Sequence, residues 1–306
     1  MSKLQSWLYA FRLRTLPLAF SSIITGNAMA FADQRESFKT TVLVLCLITT
    51  LLLQILSNLA NDYGDSEKGT DNEDRIGPKR AVQQGLLSFQ EIKLGIIITG
   101  LLSFIMGVGL IYEANKSLEI GYSIFFLLLG LAAIAAAIKY TVGKSAYGYQ
   151  GLGDVFVLLF FGLVGVCGSY FLQTHEINLA TLLPAFTIGV FASGVLNLNN
   201  MRDHISDAKA GKNTLVVKIG LTKAKQYHTA LIVSGFVSAL IYVILVFAST
   251  MQLFFILSIP LFRKHVVTAM HIDEPRDFDP LLKQLALSTF LFSILFAIGV
   301  IVGSVG

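Results

Sequence analysis

Two short polar segments, NLANDYGDSEKGTD at residues 58–71 and NNMRDHISDAKAGKNT at residues 199–214, each follow an apolar run long enough to cross a bilayer. Continued as helix, the first sets Asn58, Asp62 and Asp65 at i, i+4 and i+7, with Asn61 and Asp65 also one turn apart. The second sets Asn199, Asp203 and Asp207 at i, i+4 and i+8. Residues at these spacings share a helix face, and like charges one turn apart destabilise it by roughly 0.2–0.5 kcal/mol per pair. A divalent cation reverses that sign. Mg²⁺ takes oxygen ligands, keeps several waters and is commonly held by one or two carboxylates together with substrate phosphates. Two stripes facing one cavity therefore suit metal ions that bridge a diphosphate. Acids so close to hydrocarbon are rare unless they serve a site.

Such a site also needs fixed positive charge, and candidates flank both stripes: Lys68, Arg75, Lys79 and Arg80 after the first, Arg202, Lys209 and Lys212 around the second. Arginine grips phosphate bidentately, whereas lysine acts as a point charge. In both segments an Asp (Asp65, Asp207) precedes a Gly (Gly69, Gly211) by four residues, a shared local plan. Gly69, the Gly77-Pro78 pair and Gly211 interrupt helix and let backbone approach a ligand. A third segment, YTVGKSAYGYQGLGD at residues 140–154, lies between them. Its Tyr140, Tyr147 and Tyr149 either stack on an aromatic ligand or a cation, or form an interfacial aromatic belt. Asp154 is either a helix cap or a proton acceptor.

The elements that position these residues are membrane helices. The 306 residues are 54% hydrophobic and 14% charged, with a mean hydropathy of +0.70, where soluble domains carry roughly a quarter charged residues. Runs of about 20 apolar residues are read near 16–32, 40–60, 93–113, 119–139, 153–173, 179–200, 226–248, 250–268 and 283–304. Pro260 and the Arg263-Lys264-His265 cluster predict a short, tilted or kinked eighth span. Nine spans place 20 of the 23 Lys and Arg on one face, leaving Arg35, Lys39 and Lys116 on the other. That bias marks the first face as cytoplasmic, with the N-terminus and all three polar segments inside and the C-terminus outside. The net charge of +4 thus follows from membrane insertion and does not indicate a nucleic-acid partner. Trp7, Tyr9, Phe11, Arg12 and Arg14 form an amphipathic lead-in to the first span, and no cleavable signal peptide is expected. Cys46 and Cys167 each fall inside a span, so neither a disulfide framework nor a cysteine metal site is expected. Residues 1–306 are expected to form one transmembrane domain.

The three segments, in this order on nine spans, resemble the intramembrane aromatic prenyltransferases of the UbiA superfamily. The strings NLANDYGDSEKGTDNEDRIGPKR, YTVG, YGYQGLGD, NNMRD and GKNTLVVKIG are most similar to its branch that prenylates 1,4-dihydroxy-2-naphthoate, and the likeness runs from RTLPLAF at residue 14 to about residue 221. The resemblance implies an all-helical bundle around a cavity open to the cytoplasm, in a bacterial cytoplasmic (inner) membrane, with a lateral route for a lipid tail. It implies transfer of a polyprenyl group from polyprenyl diphosphate to dihydroxynaphthoate, with loss of diphosphate and CO₂, giving demethylmenaquinone. Asp62, Asp65, Asp71, Asp203 and Asp207 are then candidate Mg²⁺ ligands. Asn61, Lys68, Lys79, Arg80, Arg202, Lys209 and Lys212 would contact the diphosphate, and Tyr140, Tyr149 and Asp154 would serve catalysis. The superfamily's pattern of Asn and two Asp at four-residue steps fits Asn61 and Asp65 but meets Gly69 next, so either Asp71 or Asp62 completes the first set.

Rival readings remain distinguishable. Another member of the superfamily, with 4-hydroxybenzoate or homogentisate as acceptor, would share the metal site, and only the 61–80 and 140–154 strings argue against it. A transporter of an anionic substrate would also carry two similar polar segments, but it should place broken helices and ionisable groups near the midplane, whereas these charges cluster at one face. The compact aspartate pattern of a CDP-alcohol phosphotransferase is absent from the sequence.

Overall fold

Ser2 opens the chain's first helix through a reciprocal cap with Gln5, and α1 (Lys3–Phe11) runs until Arg12, which is left-handed at φ 50°. A 3₁₀ turn over Leu13–Thr15 leads into α2 (Leu16–Asp33), whose Pro17 sits in the first turn, where its missing N–H has no partner to lose. The computed structural model describes residues 1–70, 76–114 and 120–304. α3 (Thr40–Glu67), α4 (Phe89–Ala114) and α5 (Ile120–Lys139) supply the next three spans. The fifth is composite: α6 (Gly153–Val157), a π-helical stretch over Leu158–Gly168, and α7 (Ser169–Thr174). α8 (Leu182–Lys209), a short α9 (Leu215–Ile219) and α10 (Leu221–Leu245) follow. The eighth span joins a 3₁₀ run over Thr250–Ser258 to α11 (Ile259–His271), and α12 (Asp279–Gly303) closes the chain.

Among the described residues these make nine helical segments long and apolar enough to cross a membrane and no strand, so the chain is an all-helical, multi-pass membrane protein. All nine apolar runs read from the sequence have their counterpart. The expected break in the eighth appears as a change from 3₁₀ to α-helix at Ile259-Pro260, with the proline in the first turn of α11. The second and sixth spans run on as helix beyond their apolar stretches, to Glu67 and Lys209, which carries both acidic stripes out of the hydrocarbon without a bend.

α2, α8 and α12 pack on one another at the centre; α10 lies against α8, while α3, α4 and α5 form a second group reached through α2. In lipid, helices associate by close van der Waals contact more than by burial from water, so small residues mark their interfaces. The π-helical stretch shows this. A Cβ on Gly162 would lie 2.6 Å from the Ala185 carbonyl oxygen of α8, and one on Gly165 would lie 2.6 Å from the Ser22 Cβ of α2. The last spans are held by aromatic packing: Phe191 of α8 contacts Phe262 of α11 at 4.7 Å and meets Phe292 of α12 edge-on at 5.3 Å. Such pairs contribute roughly 0.5–1.5 kcal/mol each beyond their area. A smaller core of Trp7, Ala10, Leu59, Leu87 and Ile92 fixes α1 across α3 and the start of α4.

Candidate active site

The spacing shared by the two acidic segments is a helix-ending device. α3 stops with Gly69 at φ 71°, and α8 stops with Gly211 at φ 72°. In each, the third residue beyond the helix returns its N–H five residues back, Thr70 to the Asp65 carbonyl at 2.9 Å and Lys212 to the Asp207 carbonyl at 2.8 Å. The glycine N–H groups close the inner bonds to Ser66 and Ala208, each at 3.2 Å. This is the Schellman motif, in which a left-handed glycine satisfies the last carbonyls. Asp65 and Asp207 thus occupy the same position in the last turn of their helices. Carboxylates at a helix C-terminus face the negative end of the helix dipole, so each stripe attracts cations more strongly than its acids alone would.

At the first stripe, the Arg80 guanidinium donates to Asp62 Oδ1 at 3.0 Å and to Asp65 Oδ2 at 2.6 Å, and Arg12 forms an ion pair with Asp62. Both acids are 1% exposed. Arg80 is delivered by the connection between α3 and α4, which α1 straps down: Tyr9 Oη donates to the Lys79 carbonyl, Gln84 Nε2 donates to the same oxygen at 2.9 Å, and Lys3 pairs with Glu91. Arg12 reaches Asp62 because its left-handed turn ends α1 above α3, where Asn58 Nδ2 donates to the Phe11 carbonyl at 3.0 Å.

At the second stripe, Arg202 grips Asp203 through Nε at 2.9 Å and a terminal nitrogen at 2.6 Å. Its other terminal nitrogen donates to Asp279 at the start of α12 at 2.5 Å, and Asn199 accepts at 2.8 Å. Gly77 lies against this guanidinium so closely that a Cβ there would sit 2.6 Å from it. Lys212 joins the stripes, 3.6 Å from Asp207 and 3.9 Å from Asp65. Burial opposes its charge, yet the carboxylates of Asp65 and Asp207 outweigh that and hold the ammonium above its ordinary pKa.

The third segment completes the join. Tyr149 Oη donates to Asp65 Oδ1 at 2.7 Å and shares a 2.6 Å hydrogen bond with Thr70, while its ring lies under the ammonium groups of Lys68 at 4.0 Å and Lys212 at 5.4 Å. Burial, then the Asp65 charge, raise the Tyr149 phenol; burial, then Asp65, Asp154 and Asp207, raise that of Tyr140. Both are therefore neutral donors at physiological pH. Lys68 is lowered by burial, against the pull of Asp65 and Glu67. Thr141 Oγ1 donates to the Ala60 carbonyl at 2.9 Å, which ties the segment to α3.

All these groups lie at one end of a cavity of about 930 Å³ between α2, α3, α4, α5, the fifth span, α8 and α12. Its remaining length is apolar, walled by residues such as Leu53, Phe104, Ile134, Phe160 and Leu172. Of the residues singled out from sequence, Asn61, Asp65, Lys79, Arg80, Tyr140, Arg202 and Lys212 line it. Asp62, Asp203, Asp207 and Tyr149 stand one layer behind, bonded to Arg80, Arg202, Lys212 and Asp65 respectively. Lys209 is solvent-exposed on the last turn of α8. Asp154 is buried in the first turn of α6, accepts from Tyr227 Oη of α10 at 3.2 Å and is not part of the cavity wall. Asp71 lies outside the described residues, as does Arg75. Sequence reasoning missed Arg12 and Asp279. Arg12 read as part of a membrane-surface lead-in, and Asp279 carries no motif; its one signal is its place before Pro280 at the start of an apolar run.

The chain matches the sequence profile of the UbiA prenyltransferase family over residues 19–294. It is 46% identical to the 1,4-dihydroxy-2-naphthoate octaprenyltransferase of Haemophilus influenzae, over 98% of this chain and 97% of that protein. It is 43% identical to the protein of the same description in Escherichia coli, over 98% and 96%. Among solved structures, its fold is similar to that of a UbiA homologue from Archaeoglobus fulgidus bound to DMAPP and Mg²⁺. The TM-score is 0.62 at 17% identity, covering 95% of this chain and 98% of that one.

Proposed function

The chain belongs to the UbiA prenyltransferase family, and on that premise we propose that it transfers a polyprenyl group from polyprenyl diphosphate to 1,4-dihydroxy-2-naphthoate. Diphosphate and CO₂ leave and demethylmenaquinol forms, which air oxidises to demethylmenaquinone, a step of menaquinone biosynthesis. The observation that carries this reading is a single cavity whose charged end, built from both acidic stripes, opens into a long apolar body. The first suits a diphosphate and the second an isoprenoid tail and an aromatic ring. The acceptor follows from near full-length likeness to two naphthoate octaprenyltransferases.

The donor set suits Mg²⁺. Its oxygens are hard carboxylate and amide ligands, and one of them, Asp62 Oδ2, is buried without a hydrogen-bond partner. Among the described residues no three acids converge as one ligand cluster; Arg80, Arg202 and Lys212 hold their carboxylates instead. Asp62, Asp65, Asp203 and Asp207 would hold the metal, which when bound neutralises charge developing on the leaving diphosphate.

The chain's own residues then divide the work. Arg80, Arg202 and Lys212, with Lys79, Lys68 and Lys209 at the mouth and Asn61 as an amide donor, meet the diphosphate oxygens once they leave their carboxylates. Tyr140 turns its ring to the cavity, and aromatic faces stabilise an allylic cation by roughly 1–2 kcal/mol where water is excluded. The apolar walls keep water from capturing that cation. Tyr149 and Asp154 act through neighbours, Tyr149 by fixing Asp65 and Asp154 by fixing Tyr227. In this reading the charged end faces the cytoplasm of a bacterial inner membrane and the C-terminus lies outside; the 20-of-23 bias of basic residues supports that orientation.

Mass spectrometry of products tests this reading, using the full chain in detergent with a prenyl diphosphate, Mg²⁺, and either dihydroxynaphthoate or 4-hydroxybenzoate. Prenylated naphthoquinone from the first acceptor alone is the expected result. Prenylated hydroxybenzoate instead would overturn the acceptor, and no product from folded protein would overturn the reaction.

A further inference from the structure

The charged end of the cavity holds more cations than its carboxylates use. Arg12, Arg80, Arg202 and Lys212 are each paired with an acid of the stripes. Lys283 of α12 also lines the cavity, yet it forms no ion pair among the described residues. Lys283 is solvent-exposed, as is Arg14, and its place in the helix does not favour a cation. It lies in the second turn of α12, near the positive end of the helix dipole, where a cation is disfavoured by roughly 0.3–1 kcal/mol. It also sits four residues after Asp279, the spacing at which an acid would normally pair with it, but Asp279 is taken by Arg202 at 2.5 Å. Asp279, Lys283 and Ala286 fall on one face of α12, and all three border the cavity. Arg14, in the 3₁₀ turn that packs against α12, borders it as well and likewise has no acid partner among the described residues. These two cations belong to α12 and to the turn packed against it, not to α3 or α8, which carry the stripes.

We propose that Lys283, supported by Arg14, binds the carboxylate of the aromatic acceptor. The inference rests on the acceptor reading above and extends it. A diphosphate and a carboxylate are both anions, and one cavity that admits both must keep them apart if the ring is to present its reacting carbon to the allylic end of the donor. The observed pairing does this. The cations of the stripes lie beside the acids that would hold a metal–diphosphate, whereas the acid one turn from Lys283, Asp279, is held by Arg202, which leaves the ammonium for a lone carboxylate. A lysine can lay its four-carbon stem along apolar surface while its ammonium meets an acid, and Tyr140 lines the same cavity.

The test is acceptor binding by titration calorimetry in detergent, with 1-hydroxy-2-naphthoate as a carboxylate-bearing probe and 1-naphthol as its counterpart without the acid. Steady-state KM values for dihydroxynaphthoate and for the prenyl diphosphate accompany it. Lys283→Met should weaken hydroxynaphthoate binding and raise the dihydroxynaphthoate KM by about ten- to a hundredfold, the size of a lost charge-assisted hydrogen bond. Affinity for 1-naphthol and the KM for the diphosphate should stay within about twofold, and Lys283→Arg should restore most of the loss. Unchanged hydroxynaphthoate binding in folded Lys283→Met would overturn the proposal, as would a rise confined to the diphosphate KM. A wild-type protein that prenylates dihydroxynaphthoate alongside such an unaffected variant sinks this inference alone. A wild-type protein that prenylates only another acceptor sinks the reading beneath it.

Discussion

Arg202 and Asp279 are 77 residues apart in the chain and 2.5 Å apart in space. The bond fastens the C-terminal end of α8 to the first turn of α12 and makes the last span part of the charged site. The same guanidinium grips Asp203, but the two acids differ in surroundings: the Asp203 side chain is 7% exposed and that of Asp279 is 38% exposed.

That difference predicts unequal costs. Asp203→Asn takes the buried partner from Arg202 and leaves it only the half-exposed Asp279, a loss approaching the roughly 3–5 kcal/mol of a broken buried pair. Asp279→Asn weakens a half-exposed pair and should cost no more than about 1 kcal/mol. Thermal unfolding in one detergent compares them, and equal shifts in melting temperature would refute the burial argument.

Tyr149→Phe keeps the ring under Lys68 and Lys212 but removes the donor to Asp65. Turnover should fall about tenfold, because a charged acceptor loses a bond worth roughly 1.5 kcal/mol. Full activity in this variant would show that Asp65 needs no such anchor.

The alkaline side of the stability profile follows from the same two groups. The Tyr149 phenol and the Lys212 ammonium are both held above their ordinary values of 10.0 and 10.5. The native state keeps its protons longer than the unfolded chain does, so this stabilisation is intact below those values and is lost as pH rises beyond them. The melting temperature should be level between about pH 7 and 9 and fall above about 10, less steeply in Tyr149→Phe than in wild type. A decline centred below pH 9 would contradict these assignments.

The stripes were legible because four-residue spacing on a helix is a local property. Asp62, Asp65, Asp203 and Asp207 required only that two spans continue as helix, and α3 and α8 do so. The glycines after them read as breakers, and their left-handed Schellman geometry bears that out. The seven further apolar runs and the expected irregularity at Pro260 were equally local. What stayed hidden depends on which helices meet. Nothing in the first fifteen residues says that a left-handed Arg12 turns onto Asp62, and nothing near residue 279 says that α12 starts beside Arg202. Asp154 is the converse: its string left open a helix cap or a proton acceptor, and only the packing of α6 sets it in the first turn of that helix, accepting from Tyr227. The π-helical course of the fifth span carries no residue pattern that separates it from an ordinary apolar helix.

Asp154→Asn distinguishes those two parts. General acid–base catalysis contributes roughly 10²–10⁴-fold, whereas a residue acting through Tyr227 should cost less than about tenfold in kcat, and Tyr227→Phe should reproduce its effect. A loss of a hundredfold or more in Asp154→Asn with Tyr227→Phe unaffected would make Asp154 the base.

Gly64→Ala probes the seam between α3 and the 140–154 segment. A Cβ there would lie 2.7 Å from the backbone and side chain of Thr141, so overpacking should destabilise the fold by roughly 1–3 kcal/mol and displace Tyr149 from Asp65. Wild-type melting in this variant would show that the seam is loose.

The central claim is that the two stripes act as one diphosphate site, and the most direct measurement is diphosphate release coupled to prenylated naphthoquinone formation in wild type, Asp65→Asn and Asp203→Asn, each with Mg²⁺ and with EDTA. Wild type should turn over only with Mg²⁺, and each variant should insert into the membrane yet lose turnover by at least about a hundredfold, the scale of a lost electrostatic contribution to the transition state. Near-normal turnover in either folded variant, or full wild-type turnover in EDTA, would contradict the account.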